Sequence, residues 1–302
     1  MKTENSQKKY ALALGYFDGL HTAHTAVLNK ALQLEKAGFI PAVLVFDEHP
    51  RKILSGDSVP FLLQRDKRDE KLMSMGLRIF YESFSDIKDM SPEDFIRDIV
   101  FGKIGAGAVI SGYNYRFGKD GMGDSGELLR LCEKYGIEVH VCDAMMYGDA
   151  PVSSTRIRRA VEEGNISEAN TLLGFPFIFS APVFSGDKRG RLLGAPTINQ
   201  YLPEGLVTPR FGVYASKVYF DGNEYSGVTN VGSRPTFDGE NVRSETYIID
   251  YNGNLYGKNI SVELYEFLRS EKKFPDAEAL KKQIASDVEM TKKYFSDKNK
   301  KN

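Results

Sequence analysis

Two histidines form the most specific chemical pattern in this sequence. His21 and His24 stand three residues apart, directly after a glycine-containing turn, and an apolar run at 11–14 precedes that turn while a helical pattern follows it. This order predicts a strand, a turn and the start of a helix. Backbone N–H groups and the helix dipole favour an anion at such a helix start, so imidazoles on the same face would bind phosphate. Because no nucleophile and base stand beside them, we interpret the pair as stabilising charge that develops during nucleotidyl transfer.

The histidine segment also resembles a known signature. Residues 15–24, Gly-Tyr-Phe-Asp-Gly-Leu-His-Thr-Ala-His, are similar to the G-x-F-D-G-x-H-x-G-H pattern of the nucleotidyltransferase superfamily, in the form found in bifunctional riboflavin kinase/FAD synthetases. Ala23 stands where the pattern has its last glycine and adds a methyl group at the phosphate approach. The alternative is that the two histidines have no function, their imidazoles being exposed to solvent or hydrogen-bonded within the core. The resemblance implies catalytic His21 and His24 with nucleotide-binding Gly15, Phe17, Asp18 and Gly19.

Two later segments resemble the same superfamily. Residues 112–118, Gly-Tyr-Asn-Tyr-Arg-Phe-Gly, follow a buried strand pattern and are similar to its nucleotide-lining loop, which implies a nucleotide contact for Asn114; a packed aromatic loop is the alternative. Residues 152–158 open a helix with hydroxyl groups and arginines, a combination that can bind phosphate or simply cap a helix with a solvated basic face. Similarity to the S-S-T-x-I-R element implies that Ser154, Thr155 and Arg158 hold the triphosphate.

The hydrophobic pattern changes along the chain. Five strand patterns alternate with helix patterns up to residue 142, which is typical of a parallel sheet covered on both faces. After residue 176, short alternating runs with glycine turns replace that rhythm, and an amphipathic helix pattern closes the sequence at 277–295. We therefore predict an α/β plus β protein. A Rossmann-like doubly wound parallel sheet of nucleotidyltransferase type occupies 1–176, and a small antiparallel β-barrel with a terminal helix occupies 177–302.

The second half carries a glycine-rich basic loop at 186–194, followed by Ala-Pro-Thr-Ile-Asn. Such a loop can fold over phosphates, although it lacks the Gly-Lys-Ser/Thr end of a Walker loop. Thr197 and Asn199 are two apart, so on an extended chain they share a face and offer a hydroxyl and an amide oxygen to one hard cation. A structural turn after the proline is the alternative.

Residues 186–199 resemble the G-x-x-x-G-R-x-L-G-x-P-T-A-N motif of riboflavin kinases, with isoleucine in place of the motif's alanine. By that resemblance Thr197 and Asn199 hold Mg²⁺, Glu245 is the catalytic base, and Arg269 and Phe274 lie beside the flavin. The loop residues to which the resemblance assigns phosphate binding are Gly186, Lys188, Gly190, Arg191 and Gly194.

Composition limits the partners that we expect. The 302 residues carry a formal net charge of −1 and give a pI of about 6.5, so the chain lacks the basic field that sequence-independent nucleic-acid binding needs. No apolar run approaches the roughly 20 residues that span a bilayer. Cys132 and Cys142 lack metal-ligand spacing and are expected to be reduced. We expect a cytoplasmic protein with no nucleic-acid or membrane partner.

Together these motifs predict a bifunctional enzyme. By the resemblance it phosphorylates riboflavin with ATP to FMN and adenylylates FMN with ATP to FAD and pyrophosphate, with Mg²⁺ in both steps. Riboflavin, FMN and ATP are the expected partners, and the sequence leaves the oligomeric state open. Two other hypotheses remain: a monofunctional riboflavin kinase with an impaired adenylyltransferase domain, supported by Ala23 alone, and a non-catalytic flavin-binding protein.

Overall fold

The computed structural model describes residues 9–48, 53, 56, 58–185, 196–236 and 239–300, without the side chains of 234–236, 239, 240 and 299. By the density of contacts the chain divides into two compact units. The first comprises Met1–Val59 and Arg65–Ser153, and the second comprises Pro60–Gln64 and Ser154–Asn302. The division after residue 153 differs from the boundary after residue 176 that the hydrophobic pattern indicates.

The described part of the first unit is a parallel sheet with helices. Its elements in chain order are β1 (Tyr10–Leu14), α1 (Thr22–Gln33), β2 (Ile40–Phe46), α2 (Arg65–Ser74), β3 (Arg78–Glu82), α3 (Phe84–Ile87), α4 (Pro92–Asp94 continuing as Phe95–Ile104), β4 (Ala106–Gly112), α5 (Ser125–Lys134), β5 (Glu138–Cys142), β6 (Met146–Tyr147) and β7 (Ala150–Pro151). The strand order is β3-β2-β1-β4-β5, with every neighbouring pair parallel. Chain order reverses between β1 and β4, so their carboxyl ends form the topological switch point at which open α/β sheets bind ligands.

Burial explains why the strand patterns of this unit are continuous apolar runs. Every residue of β1 is buried, as are the first six residues of β4, which is the pattern of strands covered on both faces. The first helical segment ends at Gly38, whose φ of 89° lies in the left-handed region that glycine adopts without steric cost. The predicted doubly wound sheet is confirmed.

The second unit is built around an antiparallel sheet. Its elements are α6 (Ser154–Glu163), α7 (Ile166–Leu173), β8 (Phe177–Pro182), β9 (Thr197–Tyr201), β10 (Gly212–Phe220), β11 (Asn223–Thr236), β12 (Gly239–Ile248), β13 (Asn259–Arg269) and α8 (Ala277–Asn299). The strand order is β8-β13-β10-β11-β12-β9. The two edge strands meet, because the N–H of Phe184 donates to the carbonyl of Asn199 at 2.9 Å and the Gln200 amide donates to the carbonyls of Ala181 and Ile260 at 2.6 and 2.8 Å. The sheet thus curls into the predicted barrel.

The two faces of the curled sheet have different chemistry. On the inner face the fully buried hydroxyl groups of Ser216, Thr229 and Thr246 hydrogen-bond one another at 2.7 and 2.9 Å. On the outer face, α8 packs Val288 against Val213 and Val228. Since side chains alternate between faces along a strand, the outer face also carries the odd-numbered residues of β9 and β12. No helix among the described residues is long and apolar enough to cross a membrane.

Candidate active sites

Residues 15–21, here called the histidine turn, link the carboxyl end of β1 to α1. The backbone of this turn is strained. Phe17 and Leu20 have φ values of 55° and 43°, in the left-handed region that costs a non-glycine residue about 1–3 kcal/mol. Gly19, at 76°, occupies the same region without that cost. The Phe17 ring is buried and folds back over Gly15, where a Cβ would lie 3.1 Å from the ring. Packing of the Phe17 ring therefore helps to hold the turn in place, and Asp18 in the same turn is also buried.

The two histidines are joined to each other. His21 Nδ1 accepts the backbone N–H of His24 at 3.3 Å and so caps α1. Because that nitrogen is an acceptor, a neutral His21 ring carries its proton on Nε2. The rings stack with centroids 3.6 Å apart. Among the described residues, the buried Nδ1 of His24 has no hydrogen-bond partner.

Burial, and to a lesser degree the neighbouring His21, lower the pKa of His24 well below its usual range. The His24 ring is therefore neutral near neutral pH. A neutral imidazole can donate a hydrogen bond to a phosphate oxygen without the cost of keeping a buried cation in the unliganded protein.

The loop at 112–118, which is rich in aromatic residues, leaves the sheet next to the histidine turn. Leu14 at the end of β1 pairs with Ser111 in β4, one residue before Gly112. Asn114 is exposed in this loop, which closes through paired backbone hydrogen bonds of 3.1 and 2.9 Å between Phe117 and Gly123. The sheet thus places Asn114 and the histidine turn on loops from adjacent strand ends at the switch point.

The predicted triphosphate residues belong to the second unit. Ser154 and Thr155 form the first turn of α6. Arg158, one turn later, donates from Nε to the carbonyl of Pro60 at 2.6 Å, while Arg156 pairs with Glu168 of α7 at 2.6 Å. At least part of the Arg158 guanidinium therefore has a structural partner, and its role with phosphate stays a prediction.

Strand register brings the predicted kinase residues together. Glu245 on β12 is paired directly with Asn199 on β9, and two residues away Tyr247 is paired with Thr197. Direct partners on one face have Cβ atoms about 4.5–5.5 Å apart. On its other side Glu245 is paired with Asn230 of β11. A hydroxyl group, two amides and a carboxylate thus form one patch on the outer face of the barrel.

Sequence reasoning missed Arg243. Its Nη2 lies 3.1 Å from Glu245 Oε1, and the Arg243 side chain is only 13% exposed whereas that of Glu245 is 33% exposed. The two residues are spaced i, i+2 on β12, which places them on the same face. That spacing was the available signal. The ion pair fixes the orientation of the carboxylate.

The oxygen donors of this patch suit a magnesium ion. Within the part of the chain that the structure describes, no group of three or more His, Cys, Asp or Glu residues could hold a metal ion. The hydroxyl of Thr197 and the amide of Asn199 share a face at the edge next to Glu245. Neutral oxygen ligands fit Mg²⁺, which keeps several waters and takes much of its counter-charge from substrate phosphates.

Arg269 has a structural partner. Its Nε and Nη2 lie 3.0 and 2.7 Å from the carboxylate of Asp287, which is 1% exposed and also accepts from Gln283 at 2.8 Å. This bidentate ion pair between Arg269 and Asp287 joins the end of β13 to α8. The guanidinium also lies 5.8 Å from the ring centre of Phe274, and Lys272 lies 5.1 Å from it. The flavin contacts assigned to Arg269 and Phe274 stay predictions.

Five predicted phosphate residues lie outside the described residues: Gly186, Lys188, Gly190, Arg191 and Gly194.

Comparison with known proteins gives consistent family matches for both halves of the chain. Residues 3–156 match the FAD synthetase family, and residues 173–295 match the riboflavin kinase family. A bifunctional riboflavin kinase/FMN adenylyltransferase of Listeria monocytogenes is 35% identical over 291 residues, covering 94% of this chain and 92% of that protein. The protein of the same name from Bacillus subtilis is 33% identical, with 98% and 96% covered.

A solved structure is similar over the same length. A crystal structure from Streptococcus pneumoniae, described as a macrolide-efflux protein, gives a TM-score of 0.88 at 30% identity and covers 94% of both chains.

Proposed function

Because this chain belongs to the family of bifunctional riboflavin kinase/FMN adenylyltransferases, we propose how its residues divide the two reactions. The chain phosphorylates riboflavin with ATP to FMN, and it adenylylates FMN with ATP to FAD and pyrophosphate. The monofunctional and non-catalytic alternatives are set aside for two reasons. Both family models match the chain, and relatives that are each named for both activities align with nearly the whole of it.

The kinase step is assigned to the barrel, and the observation that carries this is the direct pairing of Glu245 with Asn199. The Glu245 carboxylate takes the proton from the terminal ribityl hydroxyl as that oxygen bonds to the γ-phosphorus of ATP. The bond from that phosphorus to the bridging oxygen breaks, and ADP leaves. Arg243 orients the carboxylate toward the hydroxyl.

Thr197 and Asn199 would hold Mg²⁺, which when bound neutralises charge on the phosphate oxygens. The loop residues between Gly186 and Gly194 are proposed to bind the ATP phosphates. Arg269 and Phe274 are proposed to lie beside the flavin.

The adenylyl step is assigned to the histidine turn. A phosphate oxygen of FMN attacks the α-phosphorus of ATP, the bond to the pyrophosphate group breaks, and no base is needed because the attacking phosphate is already ionised. His21 would donate from Nε2, and His24 from its ring, to oxygens that gain charge in the transition state. Gly15, Phe17, Asp18, Gly19 and Asn114 are proposed nucleotide contacts, and Ser154, Thr155 and Arg158 are proposed triphosphate contacts.

Riboflavin, FMN and ATP are therefore the proposed substrates. We also propose a cytoplasmic location, since Cys132 and Cys142 are both free thiols, the form that a reducing compartment maintains.

The Glu245 assignment is tested by Glu245→Gln. Glutamine keeps the shape and hydrogen bonding but removes basicity, so FMN formation should fall by about 10²–10⁴-fold. FAD formation from supplied FMN should persist. Glu204→Gln, at an exposed site of the same unit, is the matched control. Wild-type kinase rates in the Glu245 variant would show that another group takes the proton.

A further inference from the structure

We propose that Asn230 binds the acceptor substrate of the kinase site: its carbonyl oxygen accepts a hydrogen bond from the ribityl 4′-hydroxyl, next to the hydroxyl that is phosphorylated, and Glu271 is the positioning residue that fixes the amide. This inference deepens the proposed function and rests on Glu245 being the base at the terminal hydroxyl.

Strand register places Asn230 beside the proposed base. Asn230 on β11 is the direct partner of Glu245 on β12, on the side opposite to Asn199. Its side chain therefore stands on the same face, with Cβ atoms about 4.5–5.5 Å apart. A polyol chain whose terminal hydroxyl meets Glu245 has its next hydroxyl on the adjacent carbon. An acceptor one strand away from the base is within reach of that hydroxyl.

A carboxylate fixes the orientation of the Asn230 amide. The Asn230 amide lies 3.1 Å from Glu271 Oε1. A carboxylate only accepts hydrogen bonds, so the group facing Glu271 must be the Nδ2 donor, and the carbonyl oxygen Oδ1 faces the other way. In the part of the chain that the structure describes, this is the only hydrogen bond of the Asn230 side chain. Its carbonyl oxygen keeps its acceptor capacity for a hydroxyl donor.

The position beneath the Glu271 carboxylate is a glycine, Gly232. Gly232 follows Asn230 by two residues on β11 and therefore shares its face. A Cβ at this position would overlap the carboxylate of Glu271, which lies over Gly232 on its way to Asn230. The absence of a side chain at 232 is thus what allows Glu271 to reach the amide. Gly232→Ala displaces Glu271 without altering Asn230.

The exposure of Glu271 helps to separate positioning from folding. Glu271 is exposed, and removal of an exposed polar partner usually changes stability by less than about 0.5 kcal/mol. A kinetic change in Glu271→Ala at unchanged stability therefore reports on the site rather than on the fold.

The test uses the full chain and steady-state kinase assays with riboflavin and with 4′-deoxyriboflavin. Asn230→Ala should raise KM for riboflavin about three- to tenfold, the worth of one neutral hydrogen bond, with KM for ATP unchanged. Glu271→Ala and Gly232→Ala should each give a smaller rise in the same direction. The double variant Asn230→Ala with Glu271→Ala should equal Asn230→Ala alone, because the carboxylate acts only through the amide.

The substrate analogue identifies the hydroxyl. Wild type should use 4′-deoxyriboflavin about three- to tenfold less well than riboflavin, and Asn230→Ala should not distinguish the two. Matched controls are Asn223→Ala, at the far end of β11, and Glu204→Ala, both at exposed positions. FAD formation from supplied FMN should be unchanged in every variant.

Three outcomes would overturn the proposal. The first is an unchanged riboflavin KM in folded Asn230→Ala, and the second is an Asn230→Ala variant that discriminates against 4′-deoxyriboflavin as strongly as wild type does. The third is additivity of the effects of Asn230→Ala and Glu271→Ala on the riboflavin KM. Failure of the proposed base is a separate result. Wild-type rates in Glu245→Gln together with a raised riboflavin KM in Asn230→Ala would reject the base and keep the substrate contact.

Discussion

His21 and His24 form one stacked unit in which the backbone N–H of the second residue is bound by Nδ1 of the first. That nitrogen of His21 caps α1, so the proposed phosphate contacts would come from its Nε2 and from the ring of His24. The buried Nδ1 of His24, which has no hydrogen-bond partner in the described part of the chain, lies at the start of α1, where the helix dipole already favours an anion. This local geometry supports the proposal that the pair binds phosphate.

His24→Ala should slow FAD formation greatly while leaving FMN formation near the wild-type rate. On the proposed assignment the imidazole acts only in the adenylyl step, and the residues proposed for the kinase step lie on the barrel. Chromatography of a reaction with riboflavin, ATP and Mg²⁺ separates FMN from FAD. Equal loss of both products would contradict the assignment of His24 to one reaction. The control is His140→Ala, on β5 of the same sheet.

The lowered pKa of His24 gives a pH prediction. Unfolded histidine titrates near 6.5, and the folded residue titrates well below that value. As the pH falls from 6.5 toward the folded pKa, the unfolded chain binds the proton first. The contribution of His24 to the free energy of unfolding is therefore fully present above this window and is lost within it. Urea unfolding at successive pH values should show that the free energy of unfolding of His24→Ala falls less steeply with decreasing pH than that of wild type.

A direct measurement checks the same point. The Cε1 proton of His24, assigned by its disappearance in the alanine variant, should titrate below 6.5 by NMR. Titration at or above that value would show that the site stabilises an imidazolium, and the mechanism would then use a charged rather than a neutral ring.

The Arg269–Asp287 ion pair predicts a large stability effect. Asp287 is buried, and its removal leaves the guanidinium, itself 20% exposed, without its partner. Breaking such a pair costs about 3–5 kcal/mol of unfolding free energy, so Asp287→Ala should lower the urea midpoint clearly. Asp297→Ala, exposed on the same helix, should change it little. A shift below about 1 kcal/mol for Asp287→Ala would show that the pair contributes little to the attachment of α8.

Local patterns predicted most of the elements. Ser91 caps α4 as its position before proline indicates, accepting the N–H of Asp94 at 3.1 Å. The same helix continues as a π-helix from Phe95 to Ile104, which apolar spacing near 3.6 residues does not distinguish from an α-helix. The sequence also proposes Thr197, Asn199 and Glu245 as site residues, because motif residues are local, and the structure brings the three together.

The rest of the site depends on long-range pairing. A one-residue slip of β12 against its neighbours would turn every side chain to the other face. Arg243 and Glu245 share a face of β12 in any register, but only the actual register places Asn230 across from Glu245. Only the return of the chain after β13 brings Glu271 to that amide. No local spacing encodes Asn230 or Glu271 as neighbours of the site. The same reason applies to α6 and α7, whose apolar faces do not reveal which sheet covers them.

By its contacts, α7 belongs to the same unit as the barrel. α7 is attached to the barrel through Asn170, which donates to the carbonyl of Leu264 at 2.8 Å and accepts the N–H of Phe177 at 2.7 Å. Ser167 adds a hydrogen bond to Glu266 at 2.6 Å. A fragment of 154–302 keeps these contacts, whereas one of 177–302 loses them and exposes the surface that α7 covers.

Both fragments retain Thr197, Asn199 and Glu245, so we expect each folded fragment to form FMN, with the longer one unfolding at higher temperature. Neither contains Pro60–Gln64, whose Gln64 exchanges hydrogen bonds with Ser180 at 3.0 and 2.6 Å, so the full chain should be the most stable of the three. Thermal unfolding by circular dichroism and an FMN assay on the same samples measure both properties. Equal stability of the two fragments would assign α6 and α7 to the first domain, as the boundary after residue 176 requires. A folded 154–302 fragment that makes no FMN would show that the kinase site needs residues of the first unit.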